Sequence, residues 1–231
     1  MPLQHVQHVI EGELFTHYFL CNYRPKSQGS DSLSKSLIRF KSAWPIDVAA
    51  WVECSVSELK QVVEPGSLIL RALQSDESMV KRTNTGLDKL GCALAEALQG
   101  RYNPSTLQKV RETKPLKALN GAARAEELRD VYECCSLSED VRSIVILDDI
   151  CTTGTTIRSI IDSVRRQFAF STITIYTLAF TGYDENLNST VQLNGSEYHW
   201  EPKEGWVVEE DHIFYMALGS LKRQIEANFC A

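Results

Sequence analysis

The fold of this chain is decided by residues 144–156, which read IVILDDICTTGTT. The four leading apolar residues predict a buried strand, and the acids Asp148 and Asp149 follow at its carboxyl end. A turn of small polar residues then leads into the apolar stripe of a helix. Because ligands of open α/β sheets bind beyond the carboxyl ends of the strands, this segment is the first place to expect a site.

The turn after the strand has the composition of a phosphate site. Successive backbone N–H groups from Cys151 to Thr155 are expected to face one point near the start of a helix, where the helix dipole favours an anion. Gly154 allows a close approach of the backbone or a positive φ. Hydroxyl donors for the same phosphate are available from Thr152, Thr153, Thr155 and Thr156.

The two acids indicate what else the ligand carries. Asp148 and Asp149 would repel a bare phosphate, so they make sense beside hydroxyl donors or a cation. A phosphate, a diol and a divalent metal in one small molecule describe a phosphorylated ribose. The alternative is an ordinary buried strand followed by a capped helix, with the two acids as turn formers.

Outward from this segment, short apolar runs alternate with amphipathic stripes. The pattern predicts strands at residues 13–22, 68–73, 144–147 and 173–178, and helices at residues 31–41, 45–63, 87–98 and 157–164. Strands that alternate with helices predict an α/β fold, with a largely parallel sheet that helices cover on both faces. The chain divides into a small N-terminal lobe (1–63), a core (64–182) and a C-terminal hood (183–231).

Composition excludes several classes of protein. The chain has 231 residues, 43% of them hydrophobic, which excludes a disordered protein. A net charge of -6 argues against a broad nucleic-acid surface. The seven cysteines are scattered without a C-x-x-C pair, which argues against a disulfide scaffold or a zinc ribbon. No signal peptide and no membrane span are visible, so a reducing cytoplasm is expected.

Residues 144–156 resemble the 5-phosphoribosyl pyrophosphate (PRPP) motif of type I phosphoribosyltransferases. In that motif four hydrophobic residues, two acids, a hydrophobic residue and any residue precede T-T-G-x-T, and every defined position matches. The resemblance implies a type I phosphoribosyltransferase-like fold, with Asp148 and Asp149 on the ribose 3′- and 2′-hydroxyls. It implies that Cys151 is a loop residue and not a nucleophile. The implied 5′-phosphate loop is Cys151, Thr152, Thr153, Gly154, Thr155 and Thr156.

The flanking sequence is most similar to the competence-protein-F-like (ComF-like) group of that family. Residues 37–41, LIRFK, are similar to its L-I-x-x-x-K segment, and residues 110–115, VRETKP, to its R-x-T-x-P stretch. Residues 71–73 read RAL where the group has P-V-P. Thr152 and Thr155 stand where hypoxanthine-guanine enzymes carry Asp and Lys, which counts against that substrate class.

The resemblance also implies a pyrophosphate cradle, a lid and an acceptor hood. The cradle is Arg71, Ala72, Leu73, Gln74 and Ser75, with Lys81 and Arg82 as neighbouring cations or, alternatively, as a solvated helix start. The lid is residues 111–124, whose cations are Arg111, Lys114, Lys117 and Arg124, and its alternative is an exposed basic helix face. Catalysis is assigned to Asp148, Asp149, Arg111 and Lys114. The acceptor is assigned to Trp206 and Val207, which would otherwise be core residues beside a charged turn.

The resemblance implies a glycosyltransferase of the pentosyl class. It would move the 5-phosphoribosyl group from PRPP to an unidentified small acceptor and release pyrophosphate. Mg²⁺ would be bound mainly through PRPP rather than by a metal site of the protein, and a homodimer is implied. Neither a membrane nor a nucleic-acid partner is expected. The alternative is a non-catalytic PRPP- or nucleotide-sensing regulator of the same fold, for which the ComF resemblance suggests a link to DNA uptake.

Overall fold

A computed structural model describes residues 3–23, 32–74, 77–79, 84–113, 121–137 and 140–181, together with the backbone of 191–193 and 196–199. The strands are β1 (Gln4–Ile10), β2 (Glu13–Asn22), β3 (Leu68–Arg71), β4 (Arg101–Tyr102), β5 (Leu107–Lys109), β6 (Tyr132–Cys134), β7 (Ser143–Cys151), β8 (Thr172–Phe180), β9 (Val191–Leu193) and β10 (Ser196–His199). The helices are α1 (Ser32–Lys41), α2 (Pro45–Leu59), α3 (Gly86–Ala97), α4 (Gly121–Leu128) and α5 (Thr155–Gln167). Within these described ranges, no helix has the length and apolar character needed to cross a membrane.

One eight-stranded sheet organises the chain, in the order β4-β3-β7-β8-β2-β1-β10-β9. The first five strands of that order are parallel to one another, whereas β1, β10 and β9 are added antiparallel. Strand β7 lies between β3 and β8, so the segment that decided the fold is central in the parallel part. The prediction of an α/β fold with a largely parallel sheet is confirmed.

Helices cover both faces of the sheet, as the alternating pattern predicted. Ile144 and Ile146 of β7 belong to the core that α5 closes on one face. Val145 and Leu147 belong to the core that α1, α2 and α3 close on the other. Because successive side chains of a strand point to opposite faces, a strand that is buried on both faces has a continuous apolar sequence.

The N-terminal residues join the central sheet, a placement that the predicted lobe at 1–63 did not include. Strand β2 pairs in parallel with β8, in a register that aligns Thr16 with Thr174 and Asn22 with Phe180. Helices α1 and α2 then pack with α3 over one face of the same sheet. The pairing joins residues about 160 positions apart, and local periodicity carries no information about such a contact.

Two neutral histidines are buried between β1, β2 and β8, where a chain of hydrogen bonds connects them. Thr177 Oγ1 donates to the Ala179 carbonyl oxygen at 3.0 Å, so it accepts from His17 Nε2 at 2.8 Å. His17 Nδ1 is then left to accept from His8 Nε2, at 2.9 Å. Burial lowers the pKa of His8 to about 3, and burial followed by the charge of His8 lowers the pKa of His17 well below its usual value. Both rings are therefore folded in their neutral forms.

We expect acid to destabilise the protein through these histidines. A histidine whose folded pKa is depressed stabilises the fold fully above its unfolded pKa of 6.5, and this contribution is lost as the pH falls below that value. From pH 7 to pH 5, His8 alone should lower the free energy of unfolding by about 2 kcal/mol. Urea unfolding at the two pH values measures this contribution when the wild type is compared with variants that lack the histidines, because the raised pKa of Asp148 contributes with the opposite sign.

The matched variants are His8→Gln and His17→Gln, because an amide donates and accepts hydrogen bonds but does not titrate in this range. Combined, they should remove most of the loss between pH 7 and pH 5. His5→Gln, at a half-buried position of β1, serves as the control and should leave the loss in place. An unchanged pH dependence in the double variant would contradict the assignment.

Candidate functional site

The carboxyl end of β7 turns directly into α5. Gly154 forms the turn in the left-handed region, with φ 67° and ψ 0°, and it precedes the first residue of the helix. The Arg158 N–H donates to the Gly154 carbonyl oxygen at 2.9 Å, which closes the first helical turn. The positive φ that the sequence allowed at Gly154 is therefore present, and a residue with a Cβ would be strained there.

The loop between strand and helix presents polar groups to solvent. Thr152 is exposed, Thr153 and Thr156 are half-buried, and Thr155 is buried. The hydroxyls of Thr153 and Thr155 are hydrogen-bonded to each other at 2.9 Å. The N-cap residue of α5 is Gly154, which has no side chain to cap the start of the helix. The first N–H groups of a helix have no partner within the helix, so this start offers the donors that an anion requires.

Cys151 lies in the core beneath this loop. Its thiol is buried, and burial, followed by the charge of Asp148, raises the pKa of Cys151 above its usual range. The Cys151 carbonyl oxygen accepts hydrogen bonds from Thr181, from the backbone N–H at 2.8 Å and from the hydroxyl at 2.9 Å. Since the thiolate is the nucleophilic form, a thiol in this environment is suited to packing.

The two acids at the end of β7 have different environments. Asp149 accepts a hydrogen bond at 2.5 Å from the Nζ atom of Lys41, which is the last residue of α1. Asp148 Oδ1 accepts from the backbone N–H of Asp149 at 2.8 Å, and Asp149 Oδ1 from that of Ile150 at 2.9 Å. Burial and then the charge of Asp149 raise the pKa of Asp148 to about 8, which Lys41 partly offsets. At neutral pH Asp148 therefore carries a proton, and Asp149 is the acid of the pair that contacts Lys41.

Lys41 remains cationic in this setting. Burial by itself lowers the pKa of Lys41. The pKa is nevertheless raised, because the charge of Asp149, the hydrogen bond between Lys41 and Asp149 and the charge of Asp148 together outweigh the effect of burial. The sequence marked Lys41 only as part of a helix and of the LIRFK segment. Its ion pair joins residues 108 positions apart, and helical periodicity could not predict which side chain the end of α1 would meet.

The loop that follows β3 lies beside the acidic pair. Strand β3 pairs with β7 in a register that aligns Arg71 with Leu147, and the Ala72 N–H donates to the Leu147 carbonyl oxygen at 2.8 Å. Both backbone polar groups of Gln74 are hydrogen-bonded, because its N–H donates to Glu77 Oε2 at 2.9 Å and its carbonyl oxygen accepts from Lys109 Nζ at 2.6 Å. The chain from Ala72 to Gln74 is therefore an ordered backbone surface next to Asp148.

The Arg71 side chain is held inside the protein. Its guanidinium donates to both carboxylate oxygens of Glu77, at 2.8 and 3.0 Å, and to Asp88 Oδ1 at 2.8 Å. The Tyr102 hydroxyl donates to the same Asp88 oxygen at 2.5 Å. All four residues of β3 are buried, so this side chain has no route to solvent. A pyrophosphate placed beside β3 would meet the backbone after Arg71 and not its guanidinium.

The remaining predicted residues are placed less centrally or lie outside the described part of the chain. Arg111 follows β5 and donates to the Glu127 carboxylate at 3.2 Å and to the Glu127 carbonyl oxygen at 2.7 Å, which connects it to α4. Outside the described residues lie Ser75, Lys81, Arg82, Lys114, Lys117, Trp206 and Val207, together with the side chain of Arg124. Of the residues that the structure describes, no three or more His, Cys, Asp and Glu side chains form a group that could hold a metal ion.

The chain is an α/β protein in which three features lie along one edge of the parallel strands. They are a helix N-terminus suited to an anion, a pair of acidic residues and an ordered backbone loop. No protein-family model matches the chain, and no curated protein matches it. Among solved structures it is similar to adenine phosphoribosyltransferase from Leishmania donovani, at 14% sequence identity and a TM-score of 0.37, over 68% of this chain and 75% of that chain. A likeness of this size carries no argument about function.

Proposed function

We propose that the chain binds PRPP and transfers its 5-phosphoribosyl group to a small acceptor. The proposal is carried by the single strand–turn–helix unit of residues 144–156, in which the acids and the hydroxyl-rich loop lie at the end of a central parallel strand. The ComF-like group is the branch of the family that we propose on the flanking sequence. The acceptor stays unassigned.

In this proposal the 5′-phosphate binds the loop. Backbone N–H groups at the start of α5 and the hydroxyls of Thr152, Thr153 and Thr156 surround the phosphate. Gly154 lets the phosphate approach the backbone of the loop closely, because it has no Cβ to fill the space that the phosphate needs. The apolar stripe of α5 packs into the core and holds the loop in place.

The acidic pair receives the ribose hydroxyls. An ionised carboxylate only accepts hydrogen bonds, so Asp149 suits a hydroxyl donor, and Asp148 accepts a second one when it is deprotonated. Two carboxylates also fit a Mg²⁺ ion that is held chiefly by ligand oxygens, because magnesium is commonly bound through one or two carboxylates plus substrate phosphates. When bound, the ion neutralises charge on the departing pyrophosphate.

The transfer step needs no covalent enzyme intermediate. The bond from C1 to the pyrophosphate oxygen breaks, the electron pair leaves with pyrophosphate, and the acceptor forms the new bond to C1 and loses its proton to solvent. The protein orients the ribose between the loop and the acidic pair, and the backbone after β3 lies on the side of the pyrophosphate. The buried thiol of Cys151 takes no part.

Calorimetric titration with PRPP in the presence of Mg²⁺ tests the proposal. We expect saturable binding of one PRPP per chain, together with much weaker binding of inorganic phosphate because phosphate lacks the diol. Gly154→Val should weaken PRPP binding strongly, since a β-branched residue is strained at positive φ. A control at the left-handed turn between β1 and β2, Gly12→Ala, should leave binding unchanged. Absence of PRPP binding by the folded wild-type chain would sink the proposal.

The non-catalytic sensor remains the second candidate, and one observation favours it. The Arg71 guanidinium is engaged by Glu77 and Asp88, so the predicted cation of the cradle is not directed at a ligand. A pyrophosphate-release assay over a panel of bases and amines separates the two functions. Release with any acceptor indicates the transferase, whereas tight PRPP binding without release indicates the sensor.

A further inference from the structure

The ion pair between Lys41 and Asp149 differs from an ordinary surface ion pair, because one of its two side chains is nearly inaccessible to solvent. Lys41 Nζ lies 2.5 Å from Asp149 Oδ2, and the Asp149 side chain is only 13% exposed while that of Lys41 is 49% exposed. One end of the pair is therefore fixed in the site and the other faces solvent.

The helix that presents Lys41 is held rigidly. Asp47 at the start of α2 accepts from the Arg39 guanidinium at 2.8 and 2.9 Å and from the Ser36 hydroxyl at 2.5 Å. The Trp51 indole N–H donates to the same Ser36 hydroxyl at 3.0 Å. These contacts join α1 to the start of α2 and fix the direction of the last turn of α1. The end of α1 therefore delivers one ammonium group to the carboxyl edge of the sheet.

The position of Lys41 relative to the site indicates which part of a ligand it meets. In the proposed binding mode the ligand runs from its 5′-phosphate at the loop, past Asp148 at the 3′-hydroxyl, to Asp149 at the 2′-hydroxyl. The next ribose carbon beyond the 2′-hydroxyl is C1, which carries the pyrophosphate. Lys41 contacts Asp149, so in this binding mode it lies at the 2′-hydroxyl end of the ligand, next to C1.

We propose that Lys41 is a ligand-contacting residue of this site, which binds the pyrophosphate on C1 after the ribose 2′-hydroxyl takes its place on Asp149. This inference rests on the proposed function and adds a cation from outside the 144–156 segment. In the free protein Lys41 neutralises Asp149, and in the complex the same ammonium group neutralises the ligand. The exchange needs only rotation of a half-exposed lysine side chain, whose four-carbon stem is flexible.

The test compares two ligands that differ only in the pyrophosphate, PRPP and ribose 5-phosphate, by calorimetry with Mg²⁺ present. Lys41→Met should weaken PRPP binding by about 10- to 100-fold, the usual size of a lost charged hydrogen bond. The same variant should leave the affinity for ribose 5-phosphate within about threefold, and Lys41→Arg should retain most of the PRPP affinity. Lys35→Met, an exposed lysine on the same helix, is the matched control and should leave both affinities unchanged.

The outcomes separate this inference from the proposed function. A wild-type chain that does not bind PRPP removes the proposed function itself. Wild-type binding that Lys41→Met leaves unchanged, or weakens equally for both ligands, overturns only the role of Lys41. Tighter binding of both ligands by Lys41→Met also overturns it, because the lysine would then merely obstruct Asp149. Thermal unfolding of each variant shows that a change in affinity is not a loss of the fold.

Discussion

Replacing Arg71 with methionine should lower the free energy of unfolding by about 3–5 kcal/mol. The guanidinium is fully buried, and its partners Glu77 and Asp88 are almost as inaccessible. Without Arg71, two carboxylates remain in the interior with no counter-charge, and an uncompensated buried charge is among the most destabilising changes known. Chemical denaturation of the wild type and Arg71→Met measures the loss.

Two further variants show whether unpaired charge is the cause. Arg71→Met combined with Glu77→Gln should recover part of the stability, since one of the two stranded carboxylates becomes a neutral amide. Arg129→Met breaks an exposed pair with Glu126 and should change stability by no more than about 0.5 kcal/mol. If the Arg71 variant lost no more than the Arg129 variant, the buried network would have no structural role.

The Arg71 variants also test the loop that follows β3. Glu77 is held by Arg71 and in turn accepts from the Gln74 N–H. Loss of the arginine therefore releases the backbone that we propose to face pyrophosphate. The indirect contribution of Arg71 to the site is thus the orientation of Ala72 to Gln74, and its side chain needs no contact with a ligand.

Changing both acids of the pair, in Asp148→Asn with Asp149→Asn, should reduce PRPP affinity by at least about 10- to 100-fold, the size of one charged hydrogen bond, because Asp148 carries a proton at neutral pH. An amide can still accept one hydrogen bond from a hydroxyl, but it loses the charge that strengthens the bond. Calorimetry with Mg²⁺ measures the affinities of the double variant and of each single one.

The matched control is Asp140→Asn, an exposed acid that precedes the amino end of the same strand, which should bind PRPP as the wild type does. The double variant should fold at least as stably as the wild type, because burial disfavours the charge of Asp148. Retention of wild-type affinity by a folded double variant would contradict the assignment of these acids to the ribose.

Local sequence was sufficient to predict most of the elements around the site. Residues 13–22 form β2 with the predicted bounds, and the predicted helix at 31–41 is α1. The predicted strand at 68–73 ends at Arg71, two residues early, because the chain then leaves the ladder to form the loop. The polar alternation of β1, QHVQHVI, did not predict a strand, since its buried positions include His8.

By itself, the sequence determined the α/β alternation and the strand–turn–helix unit of residues 144–156. Both depend on periodicity, on turn residues and on the tolerance of Gly154 for positive φ, all of which act over a few neighbouring residues. The tertiary structure alone decided the ion pair of Lys41 with Asp149 and the burial of Arg71 with Glu77 and Asp88. These contacts depend on which strands pair and which face each helix covers, so the direction of a charged side chain is set by packing between distant segments.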